Sequence, residues 1–147
     1  MVKGIWNFTI KPFENPHGDT KSYGFYIEHP EMGKLIFITD FEYCPYDFSS
    51  QHVEHIMIEA NYQLDMVDTD APNFKHKIQG HCSLDTCKEF VRHNKSSNLR
   101  NVVLIHTSGS TLDFDNAVKE VKSIVDSDVE VVMAKPGIEI EIQKEAF

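Results

Sequence analysis

A chain of 147 residues, 41% of them apolar, is long enough to bury a real core and is expected to form a single domain spanning 1–147. Its formal charge of −9, with no Lys/Arg cluster interleaved with aromatics, excludes non-specific nucleic-acid binding. No apolar run approaches membrane-spanning length and the start MVKGIWNFTIKPF lacks a signal-peptide pattern, so a cytoplasmic protein without a membrane partner is expected.

Cys44, Cys82 and Cys87 are odd in number and show no C-x-x-C spacing, which argues for reduced thiols and against a zinc finger. Eight histidines is a high count for this length and the one compositional pointer to metal chemistry.

In chain order, Ile5 to Phe13 alternates apolar and polar residues and predicts a strand. Glu14 to Asp19 is a turn-rich break that would place His17 in a loop. Tyr23–Ile27 and Leu35–Thr39 predict a hairpin joined by His29–Gly33, its second strand running into Asp40. Phe41 to Ser50 suits an irregular loop, His55 to Ala60 a short strand, and Asp68 to Gly80 a second loop rich in Asp, Pro and Asn. Ser83 is placed to cap a helix whose apolar residues Leu84, Cys87, Phe90 and Val91 share a face.

The run Val102–Ile105 suits a strand buried on both faces, and His106 stands where it ends. Asp113 or Asp115 can open a second helix, with the stripe Ala117, Val118, Val121, Ile124 and Val125. Val129–Met133 predicts a strand, and the strict alternation of Ile138–Ile142 another. The outcome is an α/β chain, with hairpins early and β-α-β-α-β late.

His17, Asp40, Glu59, His81 and His106 all fall at strand-to-loop junctions or a helix start. One at a time, a loop histidine is ordinarily a solvated surface group and an aspartate after a strand a turn former. Converging from separate strands, imidazoles and a carboxylate are what a zinc, manganese or iron site needs.

The segments KPFENPHGDTKSYGFYI, GKLIFITD, IMIEANY, GHCSLDTCKEFV and NVVLIHTS, in that order, resemble the C-terminal half of a metallo-β-lactamase-fold hydrolase. They are most similar to phage and bacterial members related to the YycJ-like and ribonuclease Z branches. The resemblance implies half of an αββα sandwich, a mixed sheet with helices packed on one face. It implies that His17 and His106 ligate metal, that Asp40 bridges two metals, and that His81, oriented by Glu59, protonates a leaving oxygen. Zinc is the first expectation for the metal, with manganese and iron as alternatives.

The family's H-x-H-x-D-H motif has no counterpart; His52-Val53-Glu54-His55 is the one close histidine pair. Thr107 also stands where leucine is common, and Gly18 separates His17 from Asp19. The chain alone would offer each metal about two protein ligands, where a catalytic zinc normally has three. Two functions are therefore expected from different classes. One is a metal-dependent, phosphodiesterase-like hydrolase subunit, inactive and metal-free alone, completed by a missing N-terminal half. The other is a non-catalytic interaction module on a half fold that self-associates as a homodimer.

Overall fold

Trp6 and Asn7 decide how the chain begins. Both have left-handed backbone, φ 51° and 67°, which suits a tight two-residue hairpin. The strand expected over 5–13 is therefore two strands, β1 (Lys3–Ile5) and β2 (Phe8–His17), paired antiparallel with Ile5 opposite Phe8. The structure is a computed structural model and describes residues 3–145, with side chains from residue 6 onward.

The turn-rich break expected at 14–19 shrinks to Gly18-Asp19, because β2 continues through Pro16 to His17 and pairs with β3 (Thr20–His29) up to Thr20. Gly18 takes φ 56°, the left-handed value that a side chain disfavours. The expected second hairpin is present: β3 pairs antiparallel with β4 (Gly33–Ile38), and Gly33 turns the chain at φ 84°.

From β4 onward the pairing becomes parallel, through β5 (His55–Glu59), β6 (Asn101–Ile105) and β7 (Glu130–Met133). The sheet order is simply the chain order, β1 to β7. Helices α1 (Phe74–Gly80), α2 (Leu84–Asn94) and α3 (Phe114–Lys122) fill the connections. Ser83 caps α2 by accepting from the Thr86 N–H, and Asp113 caps α3 by accepting from the Asn116 N–H.

Period-two alternation then builds the core. Ile36, Ile56 and Val102 stand in register on one face, with Ile38, Ile58 and Leu104 one step along. All six are fully buried against Leu84, Cys87, Phe90 and Val91 of α2 and Ala117 and Val121 of α3. Truncating Ile58 or Leu104 to Ala would cost about 2–5 kcal/mol. On the opposite face Leu35 and Val103 are buried too, which is why β6 carries an unbroken apolar run.

Three further expectations are corrected. The 68–80 segment is not all loop: α1 occupies its last seven residues, hidden because Phe74 and Ile78 are too few to set up a stripe. Helix α3 ends at Lys122, so Ile124 and Val125 follow it, although both still pack against the core. Residues 138–142 alternate strictly yet form no strand. Pro136 lacks an N–H and Gly137, at φ 84°, turns the chain off the sheet edge. The tail is held instead by the Lys144 N–H donating to the Glu31 carbonyl and by Arg100 Nε donating to the Lys144 carbonyl.

Candidate metal centre

Parallel pairing of β4, β5 and β6 puts their carboxyl ends on one edge of the sheet, where loops can carry chemistry. Asp40 lies two residues past β4, Glu59 closes β5, and His106 follows β6. Asp40 and His106 are both left-handed, at φ 52° and 51°, although neither is glycine. That backbone costs free energy, and such outliers gather at functional sites. His81 comes from the link between α1 and α2; its N–H donates to the Lys77 carbonyl, and the neighbouring Cys82 carbonyl accepts from the Asn61 N–H.

The four side chains meet. One potential ligand atom from each of Asp40, Glu59, His81 and His106 lies within 4.8 Å of all the others. His81 Nδ1 is 2.7 Å from Glu59 Oε1 and 3.8 Å from Asp40 Oδ1. His106 Nδ1 is 3.4 Å from both Asp40 Oδ1 and Glu59 Oε1, and 3.0 Å from Thr39 Oγ1. Glu59 is completely buried, and its second oxygen accepts the Asp40 N–H at 2.6 Å. Both its oxygens are thus engaged, which suits an orienting group better than a ligand.

Burial sets the protonation of the inner pair. It pushes the Glu59 carboxyl up to about 8, with the Asp40 charge adding to the rise against backbone N–H donors. It pulls His81 down to about 4, helped by His106. Both shifts favour the neutral forms, in which the carboxyl O–H would donate to Nδ1 across the 2.7 Å contact. In that tautomer the imidazole proton stands on Nε2, away from Glu59.

His17 stands apart from these four. It ends β2 beside α1, and its ring centroid is 6.1 Å from that of His81. Its Nδ1 is buried and has no hydrogen-bond partner among the described residues.

Four neighbours escaped the sequence reading. Thr39 contacts His106. Asn61 Nδ2 donates to the His106 carbonyl at 2.8 Å, fixing the strained turn, and Lys77 Nζ donates to Asn61 Oδ1 at 2.8 Å. His76 of α1 lies 6.0 Å from His81, ring to ring. The sequence signal for Asn61 was present in IMIEANY; for His76 and Lys77 there was none, because α1 itself was hidden.

No protein-family model matches the chain, and no curated protein matches it by sequence. Solved structures do match. The metallo-beta-lactamase fold protein YhfI from Bacillus subtilis superposes with a TM-score of 0.69 at 18% identity, over 94% of this chain and 51% of that one. A structure described as a new diphosphatase from the PhnP family gives 0.61 at 16% identity, over 98% of this chain and 48% of that one. The chain has the metallo-β-lactamase fold. Its mixed sheet with helices on one face is the expected α/β architecture, and it spans about half the length of the structures it matches.

Proposed function

We propose that this edge of the sheet is half of a metal-dependent hydrolytic centre acting on phosphate esters, phosphodiesters first, completed by a segment carrying H-x-H-x-D-H. The observation that carries the reading is the convergence of Asp40, Glu59, His81 and His106 within 4.8 Å. The likeness to a diphosphatase of the PhnP family supports the phosphate-ester class. The Glu59–His81 pair supports the ribonuclease Z-related branch.

The residues fit a divalent cation. The donors are imidazole nitrogens and carboxylate oxygens, a set suited to zinc, manganese or iron. The buried His17 Nδ1 has no hydrogen-bond partner among the described residues, as expected of an atom that a ligand would take up. Asp40, His106 and His17 are the residues that would hold it, and the metal would supply Lewis acidity and a coordinated water of lowered pKa.

The chain's own residues do the rest. Glu59 fixes the His81 ring through Nδ1, and as Nε2 gives its proton to a departing alkoxide the Glu59 carboxyl proton passes to Nδ1, leaving a neutral imidazole and a carboxylate. Thr39 and Asn61 hold His106 by its ring and its carbonyl, so its orientation does not depend on a ligand. Low solvent access at Glu59 keeps its proton from leaking to water before transfer.

The test is elemental analysis and bis(p-nitrophenyl) phosphate hydrolysis, with the chain alone and mixed with a first-half segment bearing H-x-H-x-D-H. The complemented complex should bind metal and hydrolyse the ester, and His81→Ala should slow it by about 10²–10⁴-fold. A complex that forms but holds no metal and cleaves nothing would sink the proposal.

A further inference from the structure

We propose that Lys77 is the anion-binding residue of this centre: its ammonium receives a non-bridging oxygen of the phosphate-ester substrate, and Asn61 fixes that ammonium to the His106 turn. The inference rests on the hydrolytic reading and deepens it by naming where the substrate's charge is held.

Asn61 is the joint. It is buried just past β5, and each of its four polar groups is engaged. Its N–H donates to the Cys82 carbonyl at 2.9 Å, and its carbonyl accepts from the Ser108 N–H at 3.3 Å. Nδ2 donates to the His106 carbonyl and Oδ1 accepts from Lys77 Nζ, each at 2.8 Å. A carbonyl only accepts and an ammonium only donates, so an amide is the group that satisfies both sides. Lys77 is thereby tied through one residue to the turn carrying His106 and to the link carrying His81.

Lys77 itself is half-buried, with Nζ 5.7 Å from the centre of the Tyr62 ring. The Asn61 contact is its one side-chain hydrogen bond among the described residues, and no carboxylate there pairs with it. Lys21 and Lys88, by contrast, rest on carboxylates, Glu14 for one and Asp85 and Glu120 for the other. Burial lowers the Lys77 pKa, with Glu59 acting the other way. An ammonium with three N–H groups, one of them used, is short of counter-charge at this point.

Its position matches the need. The Lys77 carbonyl accepts the His81 N–H at 3.1 Å, so the two residues bracket the last turn of α1. The Lys77 charge adds to burial and to His106 in holding the His81 pKa down. A chain of formal charge −9 repels phosphate esters at long range, so a cation beside the proton donor is what would seat one. Without an anion, the plainer role of Lys77 is a helix lysine bracing Asn61.

The experiment follows inorganic phosphate binding to the full chain by phosphorus NMR line broadening. It also follows turnover of anionic bis(p-nitrophenyl) phosphate and neutral p-nitrophenyl acetate by the complemented complex. Lys77→Met keeps the side chain's apolar body and removes the charge. It should weaken phosphate binding about 10–100-fold and raise KM for the phosphodiester by a similar factor, with kcat nearly unchanged. Turnover of the acetate should not change. Lys77→Arg should restore phosphate binding, while thermal unfolding confirms that both variants fold. A Lys77→Met chain that binds phosphate like wild type, or a variant complex that slows both esters equally, overturns the inference and leaves the hydrolytic reading intact. A wild type that binds no phosphate overturns it as well. A complemented complex that holds no metal and cleaves neither ester sinks the hydrolytic reading, while phosphate binding lost in Lys77→Met and regained in Lys77→Arg still supports the anion site.

Discussion

Strand β5 buries a titratable side chain at each end, and the two ends treat it differently. At its start, His55 is buried with a partner on each ring nitrogen: Nδ1 is 2.8 Å from Asn101 Oδ1 and Nε2 is 2.8 Å from the Met32 carbonyl. Asn101 passes the connection on, donating to Glu130 Oε2 at 3.0 Å, so one polar chain ties β4's leading turn to β5, β6 and β7. At the other end, Glu59 has its carboxyl driven up to about 8 and His81 its imidazole down to about 4. Asp40 and His106 hold strained backbone there, and His17 Nδ1 has no partner among the described residues. The first end uses polar burial to hold the strands in register. The second gathers strained backbone and shifted pKa values around a cluster of potential ligand atoms.

The largest effect should come from breaking the first end. His55→Ala leaves Asn101 and the Met32 carbonyl without a partner and opens a cavity, so urea denaturation should show a loss of about 2–4 kcal/mol. Metal uptake per folded molecule should not change. If that uptake collapses while stability holds, the two ends are not separable.

Glu59→Gln tests the second end with nearly the same shape. Hydrolysis by the complemented complex should fall about 10–100-fold, as when the group orienting the proton donor is lost, while metal uptake holds and the unfolding free energy shifts by less than about 1 kcal/mol. A stability loss as large as that of His55→Ala, with hydrolysis intact, would make Glu59 a structural residue.

Asp40→Gly is the sharpest separation of folding from function. Glycine relieves the left-handed strain at φ 52° at the expense of a more flexible unfolded chain, so stability should rise by up to about 1 kcal/mol. Metal binding should be lost in the same variant. A clear destabilisation would show that the aspartate side chain helps hold the loop.

The smallest effect is a pH signature. Burial outweighs the two acceptors and holds His55 below its ordinary pKa, so the folded state resists the proton that the unfolded chain accepts near pH 6.5. The unfolded state then binds more protons, and stability should fall as pH drops through about 6.5 toward the lowered folded value. His55→Asn should lack this component of the slope in denaturation series run across that range.

The difference between the ends also explains what could be read beforehand. Val102–Ile105, His55–Ala60 and the Ser83-capped helix carry runs, stripes and caps that local physics makes explicit. Asp40, Glu59, His81 and His106 could be singled out because strand ends are visible once strands are. The Gly18-Asp19 turn was overestimated because Pro16 and Asn15 are turn formers by preference, and β2 overrode them through its pairing with β3. The 138–142 stretch erred the opposite way, since alternation fixes which side chains share a face but not whether a sheet edge is there to receive them. His76 could not be found at all. Its place beside His81 depends on α1 docking against β2, a contact between distant segments that no periodicity announces.

Because the strands lie in the sheet in the order in which they occur in the chain, a growing polypeptide can lay the sheet down from one edge to the other, each strand meeting a partner already in place. His17 is delivered first, then Asp40, Glu59 and His81, with His106 arriving last as β6 docks. Assembly of the four-residue cluster thus becomes a late event in folding, sealed by the strand next to the sheet's last edge.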